Sequence, residues 1–180
     1  HEQVPDYLLD TYSWAYVTPE AVRRFERQWL VNLILWGNFA RLRDEALAAL
    51  GRDVSGKTLQ IACVYGDLTP RLLAAHGPQG QLDVIDVLPV QISNLKAKLG
   101  ATAPRVGIHL GNSAAMPFEP ESYERALLFF LLHEQPENVR RKTIEEALRV
   151  LQPGGKLVIV DYHRPRALRP LYLPMRGILS

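Results

Sequence analysis

Apolar and polar residues alternate between two registers along most of this chain. Short apolar runs at 58–64, 81–87, 105–110, 124–132 and 156–162 are bounded by Gly, Pro, Asn or Asp, which predicts five buried strands. Stretches with helical spacing lie between them. The segment 68–76 ends at Gly77-Pro78. A second, 89–99, opens on Pro89, sets Ile92, Leu95 and Leu99 on one face and stops at Gly100. A third, 137–151, carries Val139, Ile144, Ala147, Leu148 and Leu151 inward before Pro153-Gly154-Gly155. Strands that alternate with helices in this way build a mainly parallel sheet with helices on both faces, a Rossmann-like, doubly wound α/β fold.

Ahead of that core the pattern changes. Residues 5–17 contain Tyr7, Tyr12, Trp14 and Tyr16, and Thr18-Pro19-Glu20 predicts the start of a long helix. Its apolar stripe is Val22, Phe25, Trp29, Leu33 and Trp36, and it runs to Leu50 unless Gly37-Asn38 ends it. Two readings fit: a helical cap on the sheet, or an aromatic, arginine-rich element in the headgroup region of a membrane. Residues 164–180 mix arginines with Leu, Tyr and Met and read as a solvated tail or a basic-apolar surface for anionic lipid. The chain divides into 1–51 as N-terminal cap, 52–163 as core and 164–180 as tail.

Composition narrows the class. A chain of 180 residues with 47% hydrophobic content suits one globular domain. The formal charge of +2 offers no footprint for nucleic acid. Cys63, the single cysteine, points to a reducing compartment, and no apolar run reaches the roughly 20 residues of a membrane span. No signal peptide is legible.

Candidate chemistry gathers where the predicted strands end. The first runs into Tyr65-Gly66-Asp67 and a helix expected to open with Thr69 as N-cap and Pro70. Such a turn presents backbone N–H groups to a ligand at a helix N-terminus. Asp86, about twenty residues on, stands where a doubly wound fold places a carboxylate for ribose hydroxyls. Asn112-Ser113-Ala114 follows the third strand and Leu131-Leu132-His133-Glu134 the fourth. His133 is a candidate base near neutral pH. His109 reads as structural or solvated.

These segments, from Thr58 to Tyr162, resemble a class I S-adenosylmethionine-dependent methyltransferase. The family's first motif, an acid and a Gly-x-Gly-x-Gly turn, falls on Gln60, Ala62, Val64 and Gly66, so only the last glycine remains. The resemblance implies that S-adenosylmethionine is held by Gln60, Cys63, Val64, Tyr65, Gly66, Asp67, Leu68, Asp86, Val87, Asn112, Ser113, Ala114 and Leu131. It also implies further strands, so the sheet's far edge is trimmed or built differently here.

The segments VPDYLLDTYSWAYVTPEAVRRFERQWLVNLILWGNFARLRD and IACVYGDLT are similar to a narrower group, the RquA-type rhodoquinone biosynthesis proteins. That similarity implies conversion of ubiquinone to rhodoquinone, with S-adenosylmethionine as amino donor and a divalent metal, manganese. For such a hard ion Asp67, His133, Asp161 and His163 are the candidate ligands, assembled from separate loops. Tyr65 and His133 are then the candidate catalytic residues. The substrate is confined to the bilayer, so a peripheral place on the cytoplasmic side of the inner membrane, or the mitochondrial matrix side, is expected. Two alternatives stay open: a conventional methyltransferase on a lipophilic quinone or phenol, and a non-catalytic cofactor-binding module. Oligomeric state is not legible.

Overall fold

The computed structural model describes residues 37–51 and 54–162. The aromatic N-terminal stretch, most of the expected long helix, His163 and the basic tail lie outside the described residues. Helix α1 (Phe39–Leu50) leads into β1 (Val54–Ile61), α2 (Leu68–Ala75), β2 (His76–Asp86), α3 (Pro89–Leu99) and β3 (Val106–Leu110). After these come β4 (Tyr123–Phe129), a one-turn 3₁₀ helix (Leu132–Glu134), α4 (Glu137–Val150) and β5 (Leu151–Val160).

All strand pairs are parallel, in the order β3-β2-β1-β4-β5. The chain steps one way from β1 to β2 and β3, then returns to the other side of β1 for β4 and β5. That reversal opens a crevice outside the carboxyl ends of β1 and β4, where folds of this kind bind ligands. The predicted doubly wound architecture is therefore the observed one.

Side-chain alternation divides the core into two layers. Leu127 and Phe129 of β4 face Phe39, Ala46 and Leu50 of α1, Leu68 and Leu72 of α2 and Leu95 and Leu99 of α3. Ala126 and Leu128, one residue out of phase, face Ala147 and Val150 of α4 together with Leu59, Ile61 and Ile85. Burying a leucine of this kind contributes about 1.5–3 kcal/mol, so both layers are needed to hold the sheet.

Several boundaries differ from the pattern-based ones. The first strand leaves the sheet at Ala62 and the fourth at Phe130, because both residues adopt left-handed backbone, φ 74° and 56°. Apolar character continues past both points, which is why periodicity alone runs on to 64 and 132. Strand β2 starts earlier than expected, at His76, and includes Pro78. Its pairing slips between Val54 and Gly56 of β1, so a proline without an N–H fits there. At Gly37-Asn38 a glycine with φ 76° precedes the N-cap of α1, which begins at Phe39.

Candidate functional site

Five strand exits meet at the carboxyl edge of the sheet. The first, residues 62–67, is the turn expected to meet the cofactor, and its neighbours hold it from every side. Cys63 donates its N–H to Asp86 Oδ2 (2.7 Å), and Lys98 Nζ of α3 donates to the Val64 carbonyl (2.8 Å). Gln91 Nε2, also of α3, donates to the Tyr65 hydroxyl (3.0 Å). Arg43 of α1 reaches Asp67 Oδ1 (2.6 Å) and Arg71 reaches Asp67 Oδ2 (2.5 Å). Burial pushes the Asp67 carboxyl up, but the hydrogen bonds and charges of Arg71 and Arg43 outweigh it and leave it below the usual carboxylate range.

Beneath the turn lies Gln60. Its side chain is fully buried, donating through Nε2 to the Ala62 carbonyl (2.9 Å) and accepting from the Thr69 hydroxyl at Oε1 (2.9 Å). Both ends of the amide are used inside the fold. Gln60 therefore supports the turn rather than lining the ligand side, which corrects the contact expected of it. The same bond draws Thr69 away from its expected capping role: α2 starts at Leu68 after an Asp67 N-cap that makes no side-chain cap bond. Leu68 itself is wholly buried, so only its backbone faces the turn. Tyr65, a candidate contact for the cofactor, is buried, and its hydroxyl accepts from Gln91 of α3.

Left-handed backbone recurs at 62 and 66. Gly66 has φ 78°, and a Cβ there would stand 2.9 Å from the Phe39 ring, so glycine is required by conformation and by space alike. Ala62 holds φ 74° with a Cβ, at a cost of about 1–2 kcal/mol. The bond from Ala62 N–H to the Ile85 carbonyl (2.8 Å) helps to keep it there.

At the end of β2, Asp86 is buried and accepts the N–H groups of Cys63 and Leu88 (2.8 Å). Burial pushes its carboxyl above the ordinary value, and the Cys63, Leu88 and Val87 donors only partly pull it back. The loop after β3 is tied down as well. Asn112 Oδ1 accepts the Ala114 N–H (2.9 Å), Ser113 Oγ pairs with Thr143 Oγ1 (3.0 Å) and accepts from Gln135 Nε2 (3.0 Å). Glu146 Oε2 takes the Met116 N–H (2.7 Å), while Arg149 spans Glu146 and the carbonyls of Met116 and Phe118. Across the crevice, half-buried Leu131 leads into His133, whose Nδ1 lies 2.8 Å from Asp161 Oδ1.

Residues 58–155 match the family model described as methyltransferase domain. The chain belongs to the methyltransferase domain family. A demethylmenaquinone methyltransferase of Lactococcus lactis is 30% identical over 72% of this chain and 50% of its own length. The chain spans about half the length of the curated relatives it matches. Among solved structures, an S-adenosylmethionine-dependent methyltransferase of Aquifex aeolicus superposes with a TM-score of 0.62 at 20% identity, over 90% of this chain and 85% of that one. The [4+2]-cyclase SpnF superposes at 0.60 with 21% identity, over 84% and 63%. At these identities both likenesses concern the fold, and the cyclase shows that the fold does not fix the reaction.

Within this methyltransferase fold the expected divalent-ion site does not assemble from the described residues, among which no three His, Cys, Asp or Glu side chains are grouped so as to hold a metal ion. Asp67 is engaged by two guanidinium groups, and His133 and Asp161 bond each other. His163 lies outside the described residues. Pattern reading missed Arg43, Gln91, Lys98, Glu146 and Arg149, which hold the two ligand-facing loops. On a helix such residues look like solvated polar positions, and nothing in spacing shows that a loop lies over them.

Proposed function

We propose that this chain is an S-adenosylmethionine-binding, quinone-modifying enzyme that replaces a ring methoxy group of ubiquinone with an amino group at a membrane surface. The observation that carries the reading is the turn at 62–67. Where the glycine turn of the class I methyltransferase motif would lie, it holds Ala62 in strained backbone and Val64, with the Tyr65 hydroxyl bonded to Gln91 of α3. A cofactor whose methionine end meets side chains there, rather than bare backbone, sits differently from one poised for methyl transfer. The quinone part of the reading rests on relatives named as demethylmenaquinone methyltransferases.

S-adenosylmethionine, when bound, supplies the transferred group. Asp86 takes the ribose hydroxyls, Asn112, Ser113 and Ala114 flank the base, and the turn cradles the amino-acid end. The methoxy carbon of a quinone is a vinylogous ester. An amine displaces methoxide there, and His133 would take the proton lost from nitrogen and pass it to the departing methoxide. Freeing that nitrogen from the donor's α-carbon would use the quinone ring as two-electron acceptor and water to split the C–N bond, giving an aminohydroquinone and an α-keto acid. Manganese, implied by the rhodoquinone similarity, has no fitting ligand cluster among the described residues, so no step is routed through it.

The test supplies ubiquinone in vesicles with S-adenosylmethionine labelled either at the amino nitrogen or at the methyl carbon. Nitrogen label in a product that has lost one methoxy group is the expected result. Methyl label instead makes this a conventional methyltransferase, and unaltered quinone makes it a binding module.

A further inference from the structure

We infer that Asp161 is a positioning residue that holds His133 as a base with Nε2 unprotonated, at the carboxyl ends of β4 and β5. This rests on the functional reading above, yet either transfer needs such a base. Amine addition leaves a proton on nitrogen, and methyl capture by a phenol or ring carbon releases one from oxygen or carbon.

The carboxylate is an acceptor at every bond it makes. Asp161 Oδ2 takes the N–H groups of Leu132 (2.7 Å) and His133 (3.2 Å), and Oδ1 takes that of Tyr162 (2.7 Å). Oδ1 also meets His133 Nδ1 at 2.8 Å. Three backbone N–H donors on its two oxygens hold the Asp161 carboxyl as an acceptor. An ionised, acceptor-only partner requires Nδ1 to carry the hydrogen, so the neutral imidazole keeps its lone pair on Nε2.

Packing fixes the ring in that pose. Tyr162 stands edge-on with centroids 4.6 Å apart, and Phe130 lies 6.3 Å away. Phe130 reaches this place through its left-handed backbone, an outlier of the sort found where structure serves a site. Two other charged groups face the ring's surroundings. Glu134 Oε1 stands 3.8 Å from Nε2, within ion-pair range of a protonated ring but too far for a hydrogen bond, and Arg140 of α4 directs donors to the Leu132 and Gln135 carbonyls.

The ring tautomer can be read without turnover, by long-range ¹⁵N NMR on the whole chain. Wild type should show His133 protonated on Nδ1 at neutral pH. Asp161→Asn places an amide donor beside the ring and should move the proton to Nε2. Turnover should then fall by about 10²–10⁴-fold, with the acidic limb of the pH profile altered and S-adenosylmethionine affinity unchanged. Because Asp161 also holds two backbone N–H groups of the turn, His133→Gln is the second variant, which leaves that anchor intact and should lose turnover equally. An Nε2–H tautomer in wild type overturns the inference. So does His133→Gln turning over within a few-fold of wild type, or Glu134→Gln, rather than Asp161→Asn, shifting the proton. A wild type that forms no quinone product overturns the functional reading and the base role together, whereas an active wild type with an indifferent Asp161→Asn overturns only the role of Asp161.

Discussion

Asp86 shows how much one side chain is asked to do at the turn. Its two oxygens already accept the N–H groups of Cys63 and Leu88, and each oxygen has a second lone pair for a ribose hydroxyl. Removing the side chain would therefore confuse loss of ligand with loss of the loop. Asp86→Asn keeps one acceptor and the shape, and should weaken S-adenosylmethionine binding by roughly 1.5–3 kcal/mol, the range for hydrogen bonds to a charged group. Calorimetry on a folded variant checks this, and unchanged affinity removes the ribose assignment. Wild-type affinity should also fall as pH drops through the raised Asp86 value, because the hydroxyls favour the ionised form.

Helix α1 is the element that joins the region before the core to the site. Phe39 closes over Gly66 and meets Phe129 edge-on at 6.0 Å, while Arg43 is 4% exposed and bridges to Asp67. The helix thereby fixes the very turn whose glycines have been lost. Arg43→Leu should cost about 1.5–3 kcal/mol of stability, since it deletes a charge-assisted bond from a buried guanidinium. Cofactor affinity should fall with it as Asp67 is left to the exposed Arg71 alone. Urea denaturation and calorimetry on the same preparation separate the two effects, and a change in neither would show that α1 does not steady the turn.

For the whole molecule, pH sensitivity has a buried source far from the crevice, at the start of β2. His76 is 6% exposed; Nδ1 donates to the Leu72 carbonyl (2.7 Å), and Nε2 has no partner among the described residues. Burial lowers its pKa, the Leu72 bond opposes this, and the charges of Arg125 and Arg105 lower it further, leaving it below 6.5. The folded state thus binds fewer protons than the unfolded chain. The stability tied to neutral His76 is complete above about pH 6.5, and it is lost as pH falls from there through the depressed folded value. Urea midpoints should drop below that pH, and His76→Leu should flatten the slope; an equal slope in the variant would place the sensitivity elsewhere. At this scale the alternation of apolar runs by itself determined the five described strands, their parallel sense and the edge where their exits gather, because a strand buried on both faces must be apolar throughout. The places of Asp86 and His133 were legible for the same reason, as polar residues at or just past the ends of such strands. Only the tertiary structure decided that Gln60 and Thr69 bond each other beneath the turn, that the Tyr65 hydroxyl bonds Gln91 of α3, and that Asp161 belongs to His133 rather than to Asp67. Those pairings join residues distant in sequence, and local spacing carries no record of which strand exits the fold brings together.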